Sequence, residues 1–326
     1  MAALECARFG VAMAAQGIGT GPQLAQGLGQ RLMQAVVSRV QPQAAQREPS
    51  GPISHPYLQA APARAQVVAV CAQKGGVGKT TTAVHLAAGL AMNHGMRVLL
   101  VDLDNQGHVA SSLRAHLRAS AEQSVSQALL GLDPDLLPAA VPTTVDGLHV
   151  TGADKQLSNA EAQLATRMGR EMILSRGLRA ARGVYDVILI DCPPNLGLLT
   201  LNALFAADQV LVPCDLSVLA LEGVDDLMRT LQNLQLMFGR APQLLGLLHT
   251  RVDRRNHKQN AAIRRALAQS YQGLSLDTEI GTNTALPGAQ LGGQVVFVSS
   301  PESSGARDYA SLAAEIHAKL FGKAPI

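Results

Sequence analysis

The feature that most constrains this chain is a segment rich in glycine and lysine, placed between a short apolar run and a helical stretch. The run VVAVCA (67–72) leads into QKGGVGKTT (73–81), and TAVHLAAGLAM follows directly. A strand, a glycine loop and a helix in this order are the context that a phosphate-binding loop requires. A simple glycine-rich turn with solvated lysines would not need this combination. The segment therefore predicts a P-loop.

The residues of this segment suit the parts of a nucleoside triphosphate. Glycines let the backbone turn its N–H groups toward phosphate oxygens, and the start of the helix adds a favourable partial charge. A lysine then neutralises the β and γ phosphates, and a threonine hydroxyl can bind Mg²⁺. The candidate binding residues are Lys74, Gly75, Gly76, Val77, Gly78, Lys79, Thr80 and Thr81. ATP and Mg²⁺ are the predicted cofactors, with Lys79 and Lys74 as candidate catalytic residues.

The rest of the chain predicts an α/β P-loop NTPase fold with a mostly parallel, doubly wound sheet and helices on both faces. Short buried-type runs alternate with helical stretches from residue 66 onward, which is typical of βα units. The predicted strands are 67–72, 97–103, 148–153, 186–192, 209–214, 244–250 and 295–300. The main predicted helices are 79–93, 155–182, 220–238 and 257–269. Hydrophobic residues make up 47% of the chain and aromatic residues only 3%, which favours an aliphatic core.

Residues 1–65 differ in composition from the rest and predict a separate N-terminal arm, followed by an ATPase domain over 66–326. The arm is rich in Ala, Gln and Pro, and its five arginines and two glutamates give a net charge of +3. Leu and Val recur every four residues within 22–40. This spacing fits one amphipathic helix, and a poorly ordered leader fits equally well because a lone helix is marginal in water.

Several protein classes are disfavoured by the sequence. No run approaches the roughly 18 apolar residues of a membrane span, so no membrane association is expected and the predicted location is the cytoplasm. The four cysteines, Cys6, Cys71, Cys192 and Cys214, have no CxxC spacing and are interpreted as reduced thiols. The whole-chain net charge of +3 is too small to predict nucleic-acid binding by itself.

The loop departs from the usual GxxxxGK[ST] pattern, because Gln73 stands where the first glycine would be and an additional Lys74 precedes the glycines. This KGGxGKT form resembles the deviant Walker A family, which includes ParA/Soj, MinD, the nitrogenase iron protein and the arsenite-pump ATPase. The resemblance extends from Gln66 to Leu320 and is strongest to ParA/Soj-type partition ATPases. It implies a homodimer that sandwiches two ATP molecules, with Lys74 reaching the partner's nucleotide. It also implies an ATPase that is slow until an adaptor on the cargo stimulates it.

Two strand ends supply carboxylates beside the loop. Family members carry DxDPQG at the first of them, and here the segment is DLDNQG (102–107), with Asn105 in place of the proline. By resemblance Asp104 positions the attacking water and Asp102 supports it; a carboxylate at this place can also reach Mg²⁺. The second strand ends in Asp191 within DCPP, the family's Walker B segment. Thr80, Asp102 and Asp191 are the candidate metal ligands. Ordinary turn residues remain the alternative for the first of these strand ends.

Family analogy places Thr250 and Asp253 near the adenine, although an aspartate after a strand is as often a helix cap. A basic cluster surrounds them and predicts nonspecific DNA binding. Its members are Arg251, Arg254, Arg255, Lys258, Arg264 and Arg265. Arg255 lies where Soj-like partition ATPases carry an arginine that binds DNA. The alternative is a solvated helix face.

One departure bears on DNA binding. Where those relatives carry a second DNA-contacting arginine, this chain has IGTNTAL (280–286) with no arginine. Two functions are therefore kept. The first is an ATP-dependent switch that binds DNA nonspecifically, associates with the nucleoid and partitions or positions a DNA or protein cargo. The second is a DNA-independent ATPase of the same family that regulates a protein complex in secretion or cell-pole organisation.

Overall fold

A computed structural model describes residues 65–152, 154–253 and 255–322. The predicted N-terminal arm, apart from Ala65, lies outside these residues. Within them the strands are β1 (Gln66–Val70), β2 (Val98–Asp102), β3 (Ala140–Pro142), β4 (Leu148–Thr151), β5 (Val187–Asp191), β6 (Gln209–Asp215), β7 (Gln243–Val252) and β8 (Ser275–Gly281). They form one sheet of order β3-β4-β2-β5-β1-β6-β7-β8. Only the β3–β4 pairing is antiparallel.

Helices cover both faces of this sheet, as the sequence predicts. The longer ones are α1 (Lys79–His94), α4 (Leu157–Leu164), α7 (Leu198–Ala206), α8 (Val218–Phe238), α9 (His257–Ser270), α10 (Ala285–Gly292) and α12 (Ser304–Phe321). The shorter ones are α2 (His108–Ser112), α3 (Val125–Leu130), α5 (Ile173–Gly177), α6 (Ala181–Val184) and α11 (Val296–Ser299), with 3₁₀ turns at Leu137–Ala139 and Arg170–Met172.

Alternate residues of the central strands belong to two separate hydrophobic cores, one on each face of the sheet. Val67 and Ala69 face the core that includes residues of α3, α4, α7 and α8, whereas Val68 and Val70 face the core under α1 and α12. Because side chains of a strand alternate between faces, a strand covered on both sides must be apolar throughout. The burial of the whole of β2 and β5 meets this requirement. The doubly wound α/β fold is confirmed.

Two details of the predicted secondary structure are wrong. The segment 295–300 is not a strand, because Val296–Ser299 forms α11, and the strand at this end of the sheet is β8 instead. The predicted helix 155–182 is broken into α4, a 3₁₀ turn, α5 and α6. Gly169 lies in this stretch with a left-handed φ of 67°, a conformation that cannot continue a helix.

Within the described residues, no helix has both the length and the apolar character needed to cross a membrane.

Candidate functional site

The predicted phosphate loop lies between the end of β1 and the start of α1, at the carboxyl edge of the central strands. Gly76 and Gly78 have left-handed φ values of 76° and 86°, and Gly78 is the N-cap residue immediately before α1. Glycine adopts such φ values readily because it has no Cβ, so the backbone conformation favours glycine at both positions. A Cβ at Gly75 or Gly78 would meet no atom within 4 Å among the described residues. The loop therefore faces open space that phosphate groups can enter.

Lys74, which the resemblance assigns to the partner's nucleotide, is held within its own subunit in this structure. Its Nζ donates to Asp215 Oδ2 at 2.6 Å and to Ser217 Oγ at 3.2 Å. Ser217 Oγ donates in turn to Asp215 Oδ1 at 2.7 Å. Although partial burial acts to raise it, the hydrogen bonds from Lys74 and Ser217 hold the pKa of Asp215 below its usual value. Asp215 is thus an ionised counter-ion for Lys74.

Lys79 points into the loop and is 8% exposed. Its Nζ donates to the main-chain oxygen of Lys74 at 3.3 Å. Its positive charge also acts on Asp191, where it works to lower the pKa of that carboxyl. Among the described residues, this long contact is the one hydrogen bond of the ammonium group, so the group is available to a phosphate.

Two buried carboxylates lie side by side behind the loop. Asp102 and Asp191 end neighbouring strands in direct register, and both are at most 1% exposed. Thr80 Oγ1 donates to Asp191 Oδ2 at 2.7 Å. Asp191 Oδ1 and Asp102 Oδ2 have no hydrogen-bond partner among the described residues. Buried acceptors are normally paired, so these two oxygens suit coordination of a cation.

Burial is also the main influence on the protonation of this pair. It raises the pKa of Asp191 to about 7. Burial, followed by the neighbouring charge of Asp191, raises the pKa of Asp102 well above its usual range. A divalent cation would reverse both shifts by supplying the charge that the site lacks. Carboxylate and hydroxyl oxygens are the ligands that Mg²⁺ prefers, so Thr80 and Asp191 would hold Mg²⁺, with Asp102 beside them.

Asp104 is fixed two residues beyond the end of β2. Its main-chain N donates to Asp102 Oδ1 at 2.9 Å, and its own Oδ1 accepts from the main-chain N of Gln106 at 3.0 Å. It is 8% exposed, and its charge acts on Asp102 and Asp191. A carboxylate fixed by its neighbours in this way can orient a water molecule. Thus the structure brings Lys79, Thr80, Asp102, Asp104 and Asp191 together, and their roles stay predictions.

Comparison with known proteins decides the family. A family model described as an AAA domain matches residues 65–242. The sporulation initiation inhibitor protein Soj of Bacillus subtilis is 40% identical over 78% of this chain and 98% of its own length. The chromosome partitioning protein ParA of Caulobacter vibrioides is 37% identical over 77% of this chain and 93% of its own. This chain belongs to the ParA family of P-loop ATPases.

Solved structures of similar proteins contain bound nucleotide, in agreement with the nucleotide site described above. A Mycobacterium smegmatis protein described as cobyrinic acid a,c-diamide synthase, with bound ADP and magnesium, is 36% identical. It matches with a TM-score of 0.66 over 79% of this chain and 97% of its own. An ATP complex of McdA from Cyanothece matches with a TM-score of 0.69 over 81% of this chain and 99% of its own; at 20% identity it supports the fold alone. ATP and Mg²⁺ are the cofactors of this ParA-family chain, and it is an ATPase.

The two predicted adenine residues have other partners in the ParA-family structure. Thr250 is buried, and its hydroxyl donates to the main-chain oxygen of Val77 at 2.8 Å. Asp253 accepts two hydrogen bonds at 2.9 Å from the guanidinium of Arg255. Those bonds lower the pKa of Asp253 to about 2. Contact of either residue with adenine stays a prediction.

Several of the predicted DNA-binding arginines are paired with other groups of the chain. Arg255 is paired with Asp253 but is 89% exposed, and Arg264 forms a bidentate pair with Glu279 at 2.7 Å. Arg265 is exposed on α9. Arg251 Nη1 donates to the main-chain oxygen of Gly76 in the phosphate loop at 2.9 Å. Arg254 and the side chain of Lys258 lie outside the described part of the chain.

Three features of the site were missed by sequence reasoning. Asp215 ends β6 and Ser217 lies two residues beyond it; because β6 neighbours β1, only the strand order would have revealed them as partners of Lys74. Nothing in the sequence placed Arg251 on the phosphate loop. The thiol of Cys192 donates to the main-chain oxygen of Ile190 at 3.8 Å, and the neighbouring thiol of Cys71, followed by burial, raises the pKa of Cys192 well above its usual value. Thiols in this state are poor nucleophiles.

Proposed function

We propose that this chain is an ATP-dependent dimerisation switch that partitions or positions a DNA or protein cargo in the cytoplasm. The proposal rests on the ion pair between Lys74 and Asp215. The family resemblance assigns Lys74 to the partner's ATP, but here the lysine is bound to a carboxylate of its own subunit. A subunit in this state lacks one cation at the phosphates. Hydrolysis would then wait for a dimer in which Lys74 has changed partners, and an adaptor on the cargo would speed it.

The roles proposed for the site follow from its contacts. Lys79 and the loop N–H groups would neutralise and hold the phosphates, with Thr81 close to the α phosphate. Thr80 and Asp191 would bind Mg²⁺, and Asp104 would orient the attacking water, held in place by Asp102. In the dimer, Lys74 would stabilise the negative charge that develops on the phosphates, as an arginine finger does.

We further propose that the ATP dimer binds DNA without sequence preference through Arg255 and the basic residues of α9. Arg255 is paired with Asp253, but ion pairs this exposed contribute little because solvent screens them. Exchange of Asp253 for a DNA phosphate would therefore cost little. A dimer would double the number of basic contacts, and so would link DNA affinity to the nucleotide state.

A DNA-independent regulator of a protein complex is the second candidate. The pairing of Arg264 with Glu279 favours it, because a bidentate pair at 2.7 Å that is only partly exposed is a poor source of free charge. The segment after β8 also favours it. This segment has no arginine, and within it Asn283 Oδ1 accepts from the main-chain N of Leu286 in the first turn of α10.

The test is binding to random-sequence duplex DNA with ATP, ADP or no nucleotide, at two salt concentrations. The Asp104→Ala variant, which should hold ATP without hydrolysing it, keeps the ATP state populated. Arg255→Glu is the test variant, and Arg118→Glu, a charge reversal at another exposed arginine, is its matched control. We expect ATP-dependent binding that weakens with salt, is lost in Arg255→Glu and persists in Arg118→Glu. Absence of binding in every nucleotide state would leave the DNA-independent regulator.

The switch itself is tested separately from DNA. Sedimentation in ATP, ADP or no nucleotide should show dimers only with ATP, and Lys74→Ala should abolish ATP turnover. A Lys74→Ala variant that hydrolyses ATP as a monomer at the wild-type rate would refute the cross-dimer role.

A further inference from the structure

Arg251 has an unusual backbone conformation. Its φ of 54° makes it the one non-glycine residue with a left-handed φ among the described residues. Residues with a side chain adopt this region infrequently, and they remain there when surrounding contacts hold them. Arg251 lies in β7, one residue before its end and next to Thr250. The cause of this conformation is therefore to be sought in the contacts of Arg251 and Thr250.

Both residues hold the phosphate loop. Arg251 Nη1 donates to the main-chain oxygen of Gly76 at 2.9 Å, and Thr250 Oγ1 donates to that of Val77 at 2.8 Å. In a regular strand, consecutive side chains point to opposite faces. The pairing of β7 with β8 is irregular between His249 and Val252, where Arg251 has its left-handed φ. This break in the strand lets two consecutive side chains contact two consecutive peptide groups of the loop.

The direction of those peptide groups matters for binding phosphate. In a trans peptide, the C=O of one residue and the N–H of the next point in opposite directions. If the carbonyls of Gly76 and Val77 are held toward β7, the N–H groups of Val77 and Gly78 point away from it. Loop N–H groups are what a P-loop offers to phosphate oxygens.

We propose that Arg251 is a positioning residue of the ATP site, which fixes the Gly76 peptide so that the N–H of Val77 is directed at the phosphates. Thr250 does the same for the next peptide. Arg251 also lies near the ion pair of Lys74, since its charge acts on Asp215. The assignment concerns the nucleotide site alone, so it stands or falls separately from the proposed dimer switch and from DNA binding. It gives Arg251 a role other than the DNA contact predicted from the basic cluster.

The test uses variants that separate the backbone from the guanidinium. Arg251→Gly removes the side chain while suiting the left-handed backbone. Arg251→Lys keeps the charge and a donor, and Arg118→Met is the control for loss of an exposed arginine elsewhere. Binding of Mg²⁺-ADP and of a non-hydrolysable ATP analogue is measured by calorimetry on the full chain. Steady-state ATP turnover and the melting temperature without nucleotide are measured alongside.

We expect Arg251→Gly to weaken ADP and the ATP analogue equally, by about tenfold, as for loss of a hydrogen bond from a charged donor. KM for ATP should rise while kcat is kept, because the loop binds ground state and transition state alike. Arg251→Lys should lose less nucleotide affinity than Arg251→Gly. The melting temperature of Arg251→Gly should be equal to or higher than that of the wild type, and Arg118→Met should bind nucleotide normally.

Three results would overturn the assignment. Unchanged nucleotide affinity in Arg251→Gly would mean that the Arg251 side chain does not contribute to phosphate binding by the loop. Weakening of the ATP analogue alone would mean that Arg251 touches the γ-phosphate directly. Equal weakening with a lower melting temperature would mean general loss of structure.

Discussion

Replacing Asp191 with asparagine should stabilise the nucleotide-free protein, and the gain should increase with pH. Burial raises the pKa of this carboxyl from the ordinary 3.8 to about 7. Below pH 4 it is protonated in both the folded and the unfolded chain and costs nothing. Between pH 4 and 7 the unfolded chain ionises and the folded one does not, so stability falls as pH rises. The full effect is reached above pH 7.

The size of the effect follows from the same shift. A pKa of about 7 in the folded state against 3.8 in the unfolded state corresponds to a destabilisation of about 4 kcal/mol at pH 8 and about 2 kcal/mol at pH 5. Asparagine has nearly the same shape, and its amide oxygen can still accept the hydrogen bond from Thr80. The Asp191→Asn variant should therefore gain about these amounts.

The measurement is urea unfolding in EDTA, followed by circular dichroism at several pH values from 5 to 8. Asp154→Asn is a control of opposite sign. Although burial acts to raise it, hydrogen bonds from Ser126 and Gln156 keep the pKa of Asp154 low, so its ionised form stabilises the fold above pH 4. That variant should lose stability by nearly the same amount at every pH from 5 to 8, because the contribution of Asp154 fades only below pH 4, as pH falls through its lowered pKa. An Asp191→Asn variant no more stable than wild type at pH 8, or a gain independent of pH, would refute the reasoning.

Three further predictions concern the dimer, the chemistry and the fold. Asp215→Asn should release Lys74 from a partly exposed ion pair contributing about 1 kcal/mol and strengthen the ATP-dependent dimer about fivefold in sedimentation; a weaker or unchanged dimer would contradict this. Asp104→Ala should lower single-turnover hydrolysis about a hundredfold while ATP still binds, and normal turnover would remove its role. Gly147→Ala should destabilise the protein by about 3 kcal/mol in urea unfolding, because φ is 80° and the new Cβ would lie 2.7 Å from a main-chain oxygen. Gly183→Ala, with open space around it, is the control, and equal stability of the two variants would contradict the steric argument.

The phosphate site was predictable because its parts are encoded locally. A glycine loop between an apolar run and a helix needs no knowledge of distant contacts, and its strand and helix lie where expected. The carboxylates could be placed too, since parallel strands bring their carboxyl ends to one edge of the sheet. Asp102 and Asp191 are direct neighbours across β2 and β5, as that rule implies.

Other features depend on tertiary contacts that no local pattern carries. Val295 and Val296 are β-branched and fully buried, which suggests a strand, yet α11 forms there. In the strand β8 only Leu276 and Ile280 are buried; α12 packs on this strand, and its outer edge has no neighbour in the described sheet. The Lys74–Asp215 pair joins residues 141 positions apart, and the left-handed φ of Arg251 accompanies an irregular pairing between β7 and β8.

Three groups that would touch Mg²⁺-ATP have hydrogen-bond partners within the chain. Lys74 is on Asp215, Lys79 is on a main-chain oxygen and Thr80 is on Asp191. These contacts differ in strength. The contact of Lys79 at 3.3 Å is the longest and involves an uncharged acceptor, whereas that of Lys74 is a 2.6 Å ion pair.

This difference implies an order of events in the proposed switch. Phosphates would first take Lys79 from its weak partner, and Mg²⁺ would take Thr80 and Asp191, all within one subunit. Lys74 would leave last, because only a second nucleotide in a dimer offers it more negative charge than Asp215 does. Nucleotide binding and hydrolysis would then be separated by dimer formation, which is what an ATPase needs if it is to act as a timer.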